Sequence, residues 1–239
     1  MGNDGGSIRG FSSPPCFAHE LEYNEYGGFS GVDAQTALDV ARFRKAKRQE
    51  LRKACLNLPA AARRAAAEAV QQRLDQLIDL APGRIIACYS PLGNELDLQP
   101  WMRSAVARGA RVALPVVTGK NEPLLFREWT PDCVMVDGIW RIPVPADGAE
   151  LTPEIILVPL VGFDAENYRL GNGGGFYDRT LSLMSPRPMT IGVGYSLTKI
   201  SSIFPQPHDI PMDIIVTEKG DPIRRERAKS NDTATTCRP

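Results

Sequence analysis

Between Asp39 and Cys55, Val40, Phe43, Lys47, Leu51 and Cys55 recur at steps of three or four, while Arg42, Arg44, Lys45, Arg48 and Arg52 fall on other faces. That period predicts an amphipathic, strongly basic first helix. Pro59 suits the first turn of a second helix, whose Ala-rich run with Val70, Leu74, Leu77 and Ile78 stops at Pro82-Gly83. The pattern then changes. Arg84 to Tyr89 holds Ile85, Ile86 and Ala87 in succession, the continuous apolar reading of a strand covered on both faces.

Further along, the pattern predicts a helix over 98–107 and strands over 111–117, 124–128 and 155–159. A short helix over 176–184 and strands over 190–195 and 214–217 complete the set. Asp97 is expected to cap the helix that starts near Leu98, with Pro100 in its first turn. Strands alternating with helices argue for an α/β fold with right-handed crossovers. The expectation is a three-layer α/β/α arrangement around a mostly parallel, Rossmann-like sheet in one domain over 37–220. Residues 1–36 are expected to form an irregular arm and 221–239 a disordered tail, since both lack periodicity.

Composition narrows the function classes. Lys plus Arg equals Asp plus Glu at 28 each, so no overall field favours nucleic acid or an anionic membrane, and any anion site must be local. Pro and Gly interrupt every apolar run well short of the roughly 20 residues that span a bilayer. The first residues lack a basic and an apolar secretory region, so the cytoplasm is the expected compartment. Five cysteines stand singly, without disulfide or zinc spacing, and read as reduced thiols. Two histidines, His19 and His208, leave little material for a catalytic relay.

The chemistry concentrates in Arg169-Leu170-Gly171-Asn172-Gly173-Gly174-Gly175-Phe176-Tyr177-Asp178-Arg179, which follows an apolar strand and opens a helix. Four glycines in five positions let successive N–H groups converge on an anion, and the helix start adds unpaired N–H groups. Arg169 and Arg179 bracket the loop with positive charge. Asp178 would repel a bare phosphate, so its place makes sense if Mg²⁺ bridges carboxylate and phosphate. The loop fits neither common nucleotide fingerprint: no Gly-Lys-Ser/Thr ends it, and about a dozen residues separate it from Pro159. A flexible turn with a favourable first-turn aspartate is the alternative on these residues alone.

Arg169 to Asp178 resembles the signature loop of the 5-formyltetrahydrofolate cyclo-ligase family, Arg-Leu-Gly-x-Gly-x-Gly-[Phe/Tyr]-Tyr-Asp, at every fixed position. The likeness continues through Arg44-x-x-x-Arg48, Gly93-Asn94-Glu95-Leu96-Asp97 and His208-Asp209-Ile210-Pro211-Met212-Asp213, covering roughly 39–218. It departs in two places. Asn172 and Gly174 stand where some members carry Lys or Arg, and the lead before the first basic helix is long.

The resemblance implies ATP contacts from Arg44, Arg48, Arg169, Leu170, Gly171, Asn172, Gly173, Gly174, Gly175, Phe176 and Tyr177. It implies folate contacts from Glu95, Asn172, Gly173, Gly174, Gly175 and Phe176, and Mg²⁺ contacts from Asp178 and Asp209. Trp140, with Phe176 and Tyr177, is a candidate flat face for a pterin or aminobenzoyl ring, the alternative being a core position. The implied reaction uses ATP to close 5-formyltetrahydrofolate to 5,10-methenyltetrahydrofolate, with no protein nucleophile. Two rivals share the loop: a phosphosugar isomerase-like α/β enzyme, and a non-catalytic nucleotide- or folate-binding module.

Overall fold

The computed structural model describes residues 34–225. Of the arm expected over 1–36, residues 1–33, with Cys16 and His19, lie outside the described residues, and 34–36 belong to the first helix; of the tail expected over 221–239, residues 226–239, with Cys237, lie outside them. In chain order the elements are α1 (Ala34–Leu56), α2 (Ala60–Leu77), β1 (Ile85–Ala87), α3 (Gln99–Ala107), β2 (Arg111–Val117) and β3 (Leu124–Trp129). There follow β4 (Met135–Asp137), β5 (Pro143–Pro145), β6 (Ile155–Pro159), β7 (Gly162–Phe163) and β8 (Arg169–Leu170). The last are α4 (Phe176–Leu183), β9 (Met189–Val193), β10 (Ile214–Val216) and β11 (Ile223–Arg224). Residues 34–43 form one compact unit, the opening of α1, and residues from Arg44 onward form the other. The sheet and the site belong to the second.

Seven strands form one sheet in the order β11-β10-β9-β6-β1-β2-β3. The five central strands run parallel, and β3 and β11 close the edges antiparallel. The fold class read from the pattern therefore holds: helices on both faces of a mostly parallel sheet. Ile155 and Leu157 pack with Val70, Leu74, Trp101 and Met102 of α2 and α3. Ile156 and Val158, one residue out of phase, pack on the opposite face with Leu181 of α4. Both faces being covered is why β6 reads as an unbroken apolar run.

Local chemistry sets the element ends. Pro59, at φ −56°, directly precedes α2, and Pro100 sits in the first turn of α3. Asp97 stands one residue ahead of the cap position, and its Oδ1 accepts the Gln99 N–H at 2.9 Å. The strand Ile223–Arg224 pairs with β10, so regular structure runs past the boundary expected at 220. Cys55 and Cys88 are buried and Cys133 half-buried, all three as free thiols. No described helix is long and apolar enough to cross a membrane.

Candidate active site

The sheet changes winding direction between β1 and β6: β2 lies on one side of β1, and β6, β9 and β10 follow on the other. An open α/β sheet places its ligand crevice at the carboxyl ends of strands at such a switch point. A cleft of about 430 Å³ opens there, reached by Tyr89 and Ser90 after β1 and by Pro159 at the end of β6. The glycine loop, Arg44, Arg48, Glu95, Trp140, Asp178 and Asp209 all face it. Every residue expected at the site from sequence is brought together.

The dozen residues between β6 and the loop are taken up by the β7–β8 hairpin, in which Gly162 pairs with Leu170 and Phe163 with Arg169. The hairpin delivers Gly171 to the cleft, and Gly175, at φ 66°, turns the chain into α4. Gly173, at φ 102°, lies so that a Cβ would stand 3.4 Å from the Arg48 guanidinium carbon. Only glycine combines that backbone angle with that approach at low cost. Gly171 differs: its φ is ordinary and no heavy atom lies within 4 Å of where a Cβ would stand, so the space beside it is open.

Charge on this wall is arranged in layers. Arg169 is buried, its Nη2 2.8 Å from Asp178 Oδ2 and its Nη1 donating to the Ile210 carbonyl at 3.0 Å. Asp178 Oδ1 accepts the Ile210 N–H at 3.0 Å. Arg44 pairs with Asp209, Nη1 to Oδ1 at 3.2 Å with a second, shorter contact from Nη2 to Oδ2. Arg44 also donates to the carbonyls of Ile203 and Phe204 at 2.9 and 2.8 Å. Arg48 has no such match among the described residues. Its Nε donates to the Gly171 carbonyl at 2.7 Å, and burial, with Arg44 and Arg52 nearby and Asp209 opposing them, pulls its pKa below the usual arginine value.

Asn172 bridges the loop to the β1 side of the cleft. Its Oδ1 accepts from Arg52 Nη2 at 2.6 Å, and its Nδ2 donates to Glu95 Oε1 at 3.1 Å. Glu95 Oε2 accepts the Leu92 N–H at 2.9 Å. Burial raises the Glu95 pKa, with those two hydrogen bonds and Arg52 opposing. Arg52 was not among the expected contacts, although Arg44, Arg48 and Arg52 form one stripe at i, i+4 and i+8 that carried the signal. Arg179, expected to bracket the loop, has its Nη2 3.6 Å from where a Gly175 Cβ would stand, lies over the Phe176 ring and donates to the Glu122 carbonyl at 3.3 Å.

The opposite wall is apolar. Trp140 meets Phe176 edge to face, centroids 5.5 Å apart, and is 61 % exposed, so it is not a core residue. It sits in the turn joining β4 to β5, where Trp140 and Arg141 both take positive φ, 57° and 58°. Neither side chain favours that region, at a cost of about 1 kcal/mol or more each. The sequence pattern did not show this hairpin, because β4 is exposed along its whole length and carries no alternation.

The family profile described as the 5-formyltetrahydrofolate cyclo-ligase family matches residues 41–218. The chain belongs to that family. It is 32 % identical over 177 residues to the 5-formyltetrahydrofolate cyclo-ligase of Haemophilus influenzae, covering 71 % of this chain and 95 % of that protein. To the enzyme of the same name from Mycolicibacterium smegmatis it is 33 % identical, covering 68 % and 87 %. The NMR structure of the Aquifex aeolicus 5,10-methenyltetrahydrofolate synthetase superposes with a TM-score of 0.67 at 30 % identity, covering 80 % of this chain and 98 % of that one. A Mycoplasma pneumoniae synthetase of the same name, at 23 % identity and a TM-score of 0.61, shares the fold. Membership in this family of folate ligases sets aside the phosphosugar isomerase reading.

Proposed function

We propose that this chain closes 5-formyltetrahydrofolate to 5,10-methenyltetrahydrofolate at the expense of ATP, with Mg²⁺, releasing ADP and phosphate. The observation that carries the proposal is Arg48, a partly buried cation that makes no ion pair among the described residues and feels Asp209 only at longer range, set against Gly171 to Gly175, which line the same cleft. A desolvated positive charge without a counter-ion is costly unless a ligand supplies the anion. A triphosphate does so, and Arg44, one helical turn away, extends the grip.

Asp178 and Asp209 both face the cleft and are the carboxylates that would hold Mg²⁺, each sharing it with the arginine it already pairs with, Arg169 and Arg44. No cluster of three or more His, Cys, Asp or Glu side chains placed to hold a metal exists among the described residues. Two carboxylates without a cage are the donor set of an ion whose coordination is completed by phosphate oxygens and water. Bound there, the ion would draw charge from the transferring phosphoryl group.

The chain's own residues do the rest. Loop amides and the start of α4 hold the phosphates in line with the formyl oxygen, which takes the terminal phosphoryl group. The folate's second nitrogen then attacks the activated carbon, and phosphate leaves. Glu95, fixed by Leu92 and Asn172, accepts hydrogen bonds from pterin N–H groups, and Trp140 with Phe176 covers a ring face. Both nucleophiles belong to the substrates, so alignment and exclusion of water are the protein's share of catalysis.

The test is an absorbance assay for the methenyl product from 5-formyltetrahydrofolate. Product is expected only when ATP and Mg²⁺ are both present. A well-folded protein that binds folate without turnover would leave the binding-module reading in place.

A further inference from the structure

A cleft of about 430 Å³ lies in the range that pockets use for one drug-sized ligand. Two substrates as large as a nucleotide and a folate cannot both lie wholly inside it, so their non-reacting ends must continue elsewhere. A second pocket of about 260 Å³ adjoins the cleft and shares Tyr89 and Ser90 with it. The sill between them is a hydrogen bond from Ser90 Oγ to the Pro143 carbonyl at 2.9 Å, which ties the end of β1 to β5.

The floor of this pocket is apolar, made by buried Met102, Leu114 and Trp129, and its rim carries Met135, which is 37 % exposed. One cation stands at the mouth. Arg103 of α3 is exposed, with its guanidinium carbon 5.9 Å from the Trp129 ring centroid. Arg103 has no carboxylate partner among the described residues, whereas Arg108 on the same helix pairs with Asp75 and Arg111 on β2 pairs with Glu128. An apolar slot ending at an uncommitted guanidinium held over an indole suits a flat or aliphatic group that terminates in a carboxylate.

We propose that the pocket between α3 and the β4–β5 hairpin receives the aminobenzoylglutamate end of the folate, and that Arg103 binds its carboxylate. This rests on the folate reading above, and it assigns a specificity site outside the reacting centre. The pterin end stays with Glu95, the chain of the substrate crosses the Ser90–Pro143 sill, and the aryl group lies against Met135 and Trp129.

The experiment compares 5-formyltetrahydrofolate with the neutral amide of 5-formyltetrahydropteroate, which lacks the glutamate and carries no carboxylate, by calorimetric Kd and by turnover, in wild type, Arg103→Ala and Arg103→Lys. The wild type is expected to bind the glutamate-bearing folate about tenfold more tightly, Arg103→Ala to lose that preference, and Arg103→Lys to keep part of it. KM for ATP and turnover of the amide substrate are expected to stay unchanged. Equal Kd values for the two folates in the wild type, or an equal loss on both in Arg103→Ala, overturns the tail site. Melting temperatures check the fold, and the lysine variant carries the test if the alanine variant does not fold. Binding with the expected preference but no turnover would sink the catalytic reading and leave the tail site standing. A wild type that binds neither folate sinks both.

Discussion

The two walls of the cleft follow opposite rules. The glycine-loop wall is pinned: Arg169 and Asp178 are matched with little exposure, Arg44 is clasped by a carboxylate and two carbonyls, and Gly173 and Gly175 hold backbone angles that fix the loop. The hairpin wall is the reverse, with an exposed tryptophan on a turn whose backbone is strained. Charge must be aimed before the ligand arrives, because reorganising dipoles during phosphoryl transfer costs rate. Stacking on a ring asks only for a flat face at roughly the right place. Rigidity is therefore concentrated where the sign of the charge matters.

The comparison breaks most visibly at Asp178. Asp178→Ala removes a cleft carboxylate and strands Arg169, so it is expected to abolish turnover and also to cost about 3 kcal/mol or more of stability. Asp178→Asn, which keeps the size and one acceptor, separates the two effects: turnover falls severely while denaturant unfolding shows a smaller loss. Retained turnover in the asparagine variant would argue that the carboxylate is structural. Arg48→Ala comes next, with KM for ATP expected to rise by roughly one to two orders of magnitude and a melting temperature close to wild type. A KM for ATP equal to wild type would place the triphosphate elsewhere.

On the other wall, Trp140→Gly is expected to stabilise the protein by about 1 kcal/mol, by relieving a left-handed tryptophan, while raising KM for folate several-fold. Arg141→Gly serves as the control, with a similar gain in stability and unchanged folate KM. The smallest effect is expected from Glu95→Gln on stability. Burial holds the Glu95 carboxyl above its ordinary range, so the ionised form is disfavoured in the folded state, and the wild type loses this contribution as pH rises through the folded pKa. The glutamine variant should melt slightly higher at neutral pH. That advantage should vanish below the ordinary glutamate range, where folded and unfolded states both carry the proton.

Sequence patterning revealed the pinned wall and, on the loose one, named Trp140 but not the hairpin that carries it, for physical reasons. Ile85 to Ala87 and Ile155 to Pro159 are covered on both faces, so their burial is written as unbroken apolar runs. The glycine loop announces itself because positive φ and close approach restrict residue choice. β4, β5 and β8 are two or three residues long, and nothing in Met135–Asp137 or Arg169–Leu170 alone separates a strand from a loop. Arg179, read as a cation bracketing the loop, does stand beside it, and what the sequence could not show is that its guanidinium also donates to the Glu122 carbonyl. The Arg169–Asp178 and Arg44–Asp209 pairs join residues up to 165 positions apart, a juxtaposition that only the folded sheet creates.

One buried side chain has reach beyond its own surroundings. The carboxyl of Asp164, 2 % exposed, accepts the N–H groups of Glu166 and Tyr168 through Oδ1 and of Ile203 through Oδ2. The Ile203 peptide is thus gripped at its N–H by Asp164 and at its carbonyl by Arg44, and the segment it anchors leads to Asp209. A lesion at Asp164 would therefore masquerade as a defect of the cleft, although that residue does not line it. Variants of this chain are best sorted by which end of that peptide they release, not by their distance from the phosphates.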